Sequence, residues 1–559
     1  MKIISLSLVV LVSVQLQEIL AVFIPRTRER EAPEPMIPAG DGPKAHWFNQ
    51  KLDHFDQSNN KTWKQRYYYN DDYYKVQRPA YDQLPMFLMI GGEAGIQGGW
   101  VNGGFWWEVG RDYRALFIYV EHRFYGKSQP TDDMSDENLK YLSSKQALAD
   151  LDYFIDGMKK KFKMTDKNKV VVFGGSYSGA LAAWVRLKYP EQVFIAHASS
   201  APVEAIVDFT GYNKVSYQSL AAWDPQCAST VQSVAEKQAE WMQTDEGLEK
   251  LSQTFGTCLK LTTSEPLNVQ SFFQFQVAVI GNIIQYNGTG DAQNIPDICN
   301  AVADANVTMM LSKVCRIGTS SQRPNQSISH LHRESSTTVP ATPKTFPTFA
   351  TQWLTRPMTM MLSQSLPNRY LKSTAKSKYQ ATCTGSRYTA NVASEKNVTF
   401  NEKEGSRQWL WQTCSEFGFF MSADDEDNLF AKTLPLSYYL TECKDVFGDT
   451  FTPEYIQQQV DATNEYYGGK DYKESQTLFT QGSIDQWHDR GITESNDQQG
   501  YEAVYIDNAS HCQDQNGKSD SDPPGLTEGR KKMREILQGW ITSLNFQQYI
   551  EQQQQQQNQ

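Results

Sequence analysis

Short apolar runs alternate with amphipathic stretches through the first two hundred residues. The runs cover residues 86–90, 115–120, 171–173 and 193–198, and residues 144–160 between the second and third runs carry apolar side chains at helical spacing. Runs that are apolar at every position are typical of parallel strands covered by helices on both faces. The pattern therefore predicts an α/β fold with a mostly parallel sheet.

The second half of the chain returns to this pattern only near its end. Strand-like runs occur at residues 476–480 and 502–506, and a helix is predicted from about 529 to 544. Between about 205 and 435 helix-like and loop segments dominate, which indicates an inserted helical cap domain. The predicted organisation is a signal peptide (1–21), a flexible segment (22–45), the first part of the core (46–204), the cap (205–435, with a flexible Ser/Thr/Pro-rich stretch at 317–347), the second part of the core (436–546) and a disordered Gln-rich tail (547–559).

The amino terminus reads as a secretory signal. Lys2 precedes an apolar stretch from Ile3 to Val14 that is too short to span a bilayer, and cleavage is expected after Ala21. The formal net charge of −11 argues against nucleic acid and against anionic membranes as partners. No later run predicts a membrane span, and no spacing predicts a metal or a cofactor. We therefore expect a secreted, lysosomal or endosomal protein, either monomeric or homodimeric.

The cysteines and sequons fit secretory transit. In a secreted chain an even number of cysteines predicts disulfides, with a connectivity that cannot be read from sequence. The chain has eight cysteines: Cys227, Cys258, Cys299, Cys315, Cys383, Cys414, Cys443 and Cys512. The first six lie in the predicted cap and are expected to pair largely among themselves. The last two are expected to pair either with each other or with cap cysteines. Five sequons are glycosylation candidates, and a sixth at Asn508 is disfavoured because it lies near a candidate catalytic residue: Asn60, Asn287, Asn306, Asn325 and Asn397.

Candidate chemistry begins at Ser176, within the segment Val171–Gly179. An apolar run breaks into two glycines, a serine and small residues, as in a sharp strand-to-helix turn that exposes a nucleophilic serine. The backbone N–H of Tyr177 would then point to the position of a reaction oxyanion. An ordinary Gly-rich loop is the alternative interpretation.

A nucleophilic serine needs a base and an orienting acid, which in sheet-edge hydrolases follow in the order serine, acid, histidine. His511 follows the last predicted strand, and Asp485 follows the strand before it. The competing acids are Asp489 and Asp507. A cap inserted between serine and acid would restrict access and favour short or terminal peptide segments.

Several stretches together resemble the prolyl carboxypeptidase and dipeptidyl peptidase II family of serine peptidases, above all its thymus-specific branch. The resemblance runs from about residue 45 to 545, and its stretches are 47–55, 91–95, 121–126, 174–179, 198–203, 409–418, the turn at Asp485 and 508–512. It implies an α/β-hydrolase core with a helical cap, proline-linked exopeptidase activity on short peptides, and a triad of Ser176, Asp485 and His511.

Other residues carry open alternatives. The turn at Glu93 and Ala94 either donates a second N–H to the oxyanion or simply ends the preceding strand. Trp487 either lines a pocket for a proline ring or belongs to the core. Gln412 and Glu416 either face a peptide terminus or fill the cap interior. An esterase or lipase with the same triad, and a catalytically silent secreted binding protein, are the rival functions.

Overall fold

The computed structural model describes residues 43–75, 84–288, 294–303, 384–403 and 405–557, which belong to one structural unit. The predicted signal peptide, the Ser/Thr/Pro-rich stretch, Cys315, Cys383, Asn306 and Asn325 lie outside the described residues.

An eight-stranded sheet forms the centre of the molecule, in the order β1-β2-β4-β3-β5-β6-β9-β10. The antiparallel pairs are β1 with β2 and β2 with β4, and every other neighbouring pair is parallel. Two further short strands, β7 and β8, pair in parallel apart from it. The strands are β1 (His46–Lys51), β2 (Thr62–Asn70), β3 (Met86–Ile90), β4 (Leu116–Val120), β5 (Val170–Gly175), β6 (Ile195–Ser199), β7 (Ile206–Asp208), β8 (Gly418–Phe420), β9 (Thr477–Gly482) and β10 (Glu502–Ile506).

Helices cover both faces of this sheet and build the insertion. Along β3, Leu88 and Ile90 pack into one core cluster and Phe87 and Met89 into another, so both faces of the strand are buried. The helices are α1 (Asp72–Lys75), α2 (Phe105–Asp112), α3 (Asp136–Leu139), α4 (Ser144–Phe162), α5 (Tyr177–Lys188), α6 (Thr210–Trp223), α7 (Pro225–Trp241), α8 (Asp245–Phe255), α9 (Pro266–Tyr286), α10 (Ile295–Ala303), α11 (Tyr388–Glu395), α12 (Ser406–Gln412), α13 (Leu436–Phe447), α14 (Pro453–Tyr467) and α15 (Pro524–Gln557). The α/β-hydrolase architecture with a mostly parallel sheet is confirmed.

The helical insertion leaves the sheet after β6 and returns at β9, the strand beside β6. It continues through α14, beyond the boundary at 435 that the sequence pattern predicts, because α13 and α14 pack with the other cap helices rather than with the sheet. A disulfide between Cys414 and Cys443 joins α13 to the segment that follows α12.

The disulfide pattern differs in part from the expectation. Cys227 pairs with Cys299 inside the insertion, and Cys258 is also disulfide-bonded. Cys512 is a free, buried thiol, so its interpretation as a disulfide candidate is wrong. Its side chain lies under the sheet edge against Gly175, away from the cap cysteines.

The carboxyl-terminal helix is longer than expected. α15 begins at Pro524 and continues to Gln557, where the sequence analysis expects a disordered tail from residue 547. Glutamine is a good helix former, and no glycine or proline interrupts this tail. Among the described residues, no helix combines the length and the apolar character that crossing a bilayer requires.

Candidate active site

Ser176 lies at the apex of the sharp turn between β5 and α5. Its backbone has φ 59° and ψ −130°, a left-handed conformation that a side-chain-bearing residue rarely adopts. A Cβ on Gly174 would lie 1.9 Å from the carbonyl oxygen of Ser178, so only glycine fits there. Ser178 itself is accommodated because its Oγ accepts from the N–H of Gly175 and donates to the carbonyl of Gly175.

Two backbone segments meet beside this serine. Tyr177 is the first residue of α5, and its backbone N–H has no acceptor among the described residues. Gly92, in the turn after β3, packs against the first turn of α5 at Ser178. The N–H groups of the turn at Glu93 and Ala94 therefore lie at the same sheet edge as that of Tyr177.

A buried hydrogen-bond chain fixes the Tyr177 side chain. His122 Nδ1 donates to the carbonyl of Arg123 at 2.7 Å, which leaves His122 Nε2 to accept from the Tyr177 hydroxyl at 3.1 Å. Burial lowers the pKa of His122 to about 4, so this imidazole is neutral. Gln412 Nε2 donates to the same Tyr177 hydroxyl at 2.9 Å, and Gln412 Oε1 accepts from Tyr125 at 2.6 Å.

Asp485 and His511 form a buried pair after β9 and β10. His511 Nδ1 and Asp485 Oδ1 are 2.8 Å apart, and the two side chains are 3% and 0% exposed. Asp485 Oδ1 also accepts from the N–H of Trp487 at 3.0 Å. Burial lowers the pKa of His511, but the Asp485 carboxylate and the Cys512 side chain outweigh it, and the pKa lies well above its usual value.

The competing acids have other roles. Asp489 forms an ion pair with Arg490, and Asp507 is exposed and accepts from Asn508. The described residues show no hydrogen bond from Ser176 Oγ, as is common before a substrate binds. The structure thus brings His511 together with Asp485 and with neither alternative acid.

The comparisons with known proteins show the family of this chain. The model of the family described as serine carboxypeptidase S28 matches residues 50–345 and 347–533. The chain belongs to this S28 family of serine peptidases. It is 34% identical to a putative serine protease of Caenorhabditis elegans, over 88% of this chain and 87% of that protein.

Two further relatives have names that state a tissue, a cellular compartment or a substrate. The mouse thymus-specific serine protease is 30% identical over 90% of this chain and 89% of its own length. The human lysosomal Pro-X carboxypeptidase is 25% identical over 89% of this chain and 88% of its own length. Among solved structures, an acylaminoacyl peptidase of Pyrococcus horikoshii aligns at 13% identity with a TM-score of 0.22, covering 31% of this chain and 25% of that one.

The loop that carries His511 in this S28 peptidase is held by a cap helix. The backbone N–H of His511 donates to the carbonyl of Gln285 at 2.9 Å, and Ser510 Oγ donates to the carbonyl of Tyr286. The side-chain oxygen of Gln285 accepts from Trp487 Nε1 at 3.2 Å and from the Tyr212 hydroxyl at 2.9 Å. The end of α9 therefore positions both His511 and the turn that follows Asp485, and no local sequence signal reveals this role.

A second buried network holds the other end of the same loop. Asp514 accepts from Ser199 Oγ at 2.6 Å and from Thr480 Oγ1 at 2.7 Å, and His197 Nε2 lies 3.4 Å from it. Despite burial, these groups hold the pKa of Asp514 below its usual value. Asp514 thus ties the turn after His511 to β6 and β9, and sequence reasoning missed it because its partners lie on two distant strands.

Trp487 lies in an aromatic cluster beside the base. Its ring centroid is 6.3 Å from that of His511 and 5.3 Å from those of Phe209 and Phe419. Only 5% of the residue is exposed. The ring is therefore next to the site but mostly covered by its neighbours.

Gln412 and Glu416 connect the insertion to residues of the core. Gln412 is fully buried between Tyr125 and Tyr177, and Glu416 accepts from both the backbone N–H and the hydroxyl of Ser144. Burial raises the pKa of Glu416 to about 7. Both side chains thus have partners within the protein, and their contact with a peptide terminus stays a prediction.

Glu93 presents a carboxylate where the sequence analysis considered only its backbone. Burial raises the pKa of Glu93, and the charge of His511 acts in the opposite direction. The charge of Glu93 also acts on Tyr177, beside the nucleophile. Within the described part of the chain this carboxylate has no ion-pair partner.

Proposed function

We propose that this S28 peptidase is a serine exopeptidase that hydrolyses bonds next to proline in short peptides, with Ser176 as nucleophile, His511 as base and Asp485 as acid. The observation that carries the proposal is the buried Asp485–His511 pair at the sheet edge where Ser176 has its strained backbone. Strain of this kind is typical of functional positions.

The chemistry follows from these groups. Ser176 Oγ attacks the scissile carbonyl while His511 Nε2 takes its proton, and Asp485 stabilises the resulting imidazolium through Nδ1. The free N–H of Tyr177 and an N–H of the turn at Glu93 and Ala94 would stabilise the oxyanion. His511 then protonates the leaving amine, and water hydrolyses the acyl-enzyme by the same route.

The preference for proline has two supports. A relative is named a Pro-X carboxypeptidase, and Trp487, although mostly covered, belongs to an aromatic cluster next to His511 whose apolar character suits a proline ring. The rest of the aromatic cluster makes this corner apolar.

The direction of attack has two candidates. The family description and the Pro-X relative favour release of a carboxyl-terminal residue. Glu93 favours the amino-terminal mode instead, because it follows Gly92, which packs against the first turn of α5, and a carboxylate near this edge of the sheet attracts a substrate ammonium and repels a substrate carboxylate. The nearby arginines are already committed, since Arg66 pairs with Glu121 and Arg123 with Asp150.

The test uses three versions of one short proline peptide with a free, an acetylated or an amidated terminus. Loss of cleavage on acetylation supports the amino-terminal mode, and loss on amidation supports the carboxyl-terminal mode. Glu93→Gln should raise KM for free-amine peptides only in the first case. Efficient internal cleavage of a long, doubly blocked peptide would contradict exopeptidase activity, and hydrolysis of esters alone would favour the esterase alternative.

A further inference from the structure

Cys512 is a free thiol in a chain whose other described cysteines are disulfide-bonded. An unpaired cysteine in such a chain is a candidate reactive thiol. Its backbone is left-handed, with φ 53°, and its N–H donates to Ser200 Oγ at 2.8 Å. The position of the thiol is therefore set by the loop and not by a sulfur partner.

The thiol lies between the base and the nucleophile turn. Its side chain contacts His511, on whose pKa it acts, and its sulfur is 2.9 Å from the point where a Cβ on Gly175 would stand. Gly175 directly precedes Ser176. An atom added to this sulfur would therefore lie close to the turn that carries Ser176.

A second, independent feature indicates what that atom is. Gln515 is 8% exposed, and its side-chain nitrogen Nε2 has no hydrogen-bond partner. This Nε2 lies 3.1 Å from the position that a Cβ on Gly175 would occupy, which is also 2.9 Å from the Cys512 sulfur. A buried amide donor without an acceptor is costly, and an oxygen bound to the sulfur would supply the acceptor.

We propose that Cys512 is a peroxide-oxidation site, at which a sulfenic acid forms and inactivates the enzyme reversibly. Cys512 gives its proton to His511, and the thiolate attacks one oxygen of hydrogen peroxide. The O–O bond breaks, and the hydroxide that leaves takes the proton from His511 and becomes water. Sulfur is oxidised by two electrons and peroxide is reduced, so the step needs no further reactant.

The product explains both the selectivity and the loss of activity. Only 3% of Cys512 is exposed, so a reagent of about the size of water reaches it more readily than a bulky thiol reagent. The new oxygen accepts from Gln515 Nε2 and lies beside the imidazole that the proposed function requires as a base. The effect on hydrolysis rests on that function, whereas the oxidation itself does not.

The test treats the full chain with hydrogen peroxide, removes the excess with catalase, and assays a short proline peptide before and after dithiothreitol. We expect the wild type to lose activity by about tenfold and to recover it, because thiols reduce a sulfenic acid but not an oxidised methionine. Cys512→Ser, compared with its own untreated rate, should lose less than about twofold under the same conditions.

Dimedone that is added while the peroxide-treated protein is unfolded in urea, followed by peptide mapping, detects the modification independently of activity. The adduct should lie on Cys512, and Gln515→Leu should lower its yield. No adduct on Cys512, an adduct without loss of wild-type activity, or an equal and equally reversible loss in Cys512→Ser would each overturn the proposal. A protein that shows the adduct but hydrolyses no peptide would instead contradict the proposed function.

Discussion

At the scale of single residues, the conformation of Ser176 is imposed by its neighbours. Its side chain forms no cap to α5, and the turn is closed by the missing Cβ of Gly174 and by the Ser178 hydroxyl. The nucleophile can therefore be replaced without removing what shapes the turn.

Ser176→Ala should abolish hydrolysis and leave the fold intact. Loss of the nucleophile costs on the order of 10⁴ to 10⁶ in turnover. Turnover of a proline peptide and labelling by a fluorophosphonate measure this loss, and thermal unfolding checks the fold. Ser178→Ala is the matched control and should stay within about tenfold of the wild-type rate. A folded Ser176→Ala protein with near-normal turnover would disprove the assignment.

Asp485→Asn should change the pH profile as well as the rate. The Asp485 carboxylate raises the pKa of His511, and a base must be neutral, so wild-type activity falls as pH falls through that raised pKa. Without the charge, burial dominates, and the acidic limb of kcat/KM should move down by about one pH unit or more. The maximal rate should drop by about 10⁴.

Asp489→Asn provides the comparison for this experiment. Asp489 pairs with Arg490 rather than with the base, so its loss should leave the acidic limb in place. If Asp489→Asn moves the limb and Asp485→Asn does not, the choice of acid is wrong.

The pairing of Asp485 with His511 was predictable from sequence because chain order and turn chemistry are local signals, and the role of Ser176 stays a prediction. Gln285 and Gln412 were not predictable in their roles. Gln285 meets Trp487 and Gln412 meets Tyr125, in each case about two hundred or more positions apart along the chain. Such contacts depend on how the insertion folds back, and no short pattern encodes that.

At the scale of elements, a π-helical turn at Thr413–Phe417 separates α12 from β8. Such turns are frequent at functional sites. This one contains Cys414, which forms a disulfide, and Glu416, which accepts from Ser144 at the start of α4. The turn thus links the insertion to a core helix through a buried carboxyl group.

Glu416 should make folding stability depend on pH. Its pKa is about 7 when folded and about 4.3 when unfolded, so the folded state keeps a proton that the unfolded state releases. The stabilising contribution is complete below about pH 4.3 and is lost as pH rises to about 7, a change of about 3 kcal/mol.

Glu416→Gln tests this contribution because it keeps an acceptor for Ser144 and cannot ionise. Urea unfolding at about pH 5 and about pH 8 should show a smaller loss of stability in the variant than in the wild type. An equal loss in both proteins would mean that Glu416 does not titrate in this range.

The parallel strands were predictable because they are buried on both faces and read as continuous apolar runs. The strands β1 and β2 could not be predicted in this way, because they form the antiparallel edge of the sheet and carry polar residues among the aromatic ones. The length of α15 was also missed, because a tail of one residue type resembles a disordered segment while its helix propensity is favourable.

At the scale of the whole molecule, the insertion contributes to the candidate site and is also held together by its own disulfides. The end of α9 supports the His511 loop, while disulfides brace the insertion itself. The existence of the insertion was predictable from the long interval between strands. Its end and its cysteine pairs were not, because both depend on which helices pack together.

Replacing Cys414 and Cys443 together by alanine should destabilise the protein by about 3 kcal/mol, since the bond restricts the unfolded chain. Urea unfolding of the oxidised proteins measures the effect. The double variant Cys227→Ala and Cys299→Ala is the comparison from within the insertion. An unchanged midpoint for the first variant would show that this bond does not restrain the unfolded state.

The position of β9 beside β6 also has a consequence for biosynthesis. Ser176 and β6 emerge from the ribosome first, and the neighbouring strand β9 with the segments that carry Asp485 and His511 is translated much later. Pairing across so long an interval is slow to form and leaves the edge of β6 open until then. A nascent chain therefore contains Ser176 before the residues proposed as its base and acid, so we expect proteolytic competence to arise only when β9 and β10 have joined the sheet.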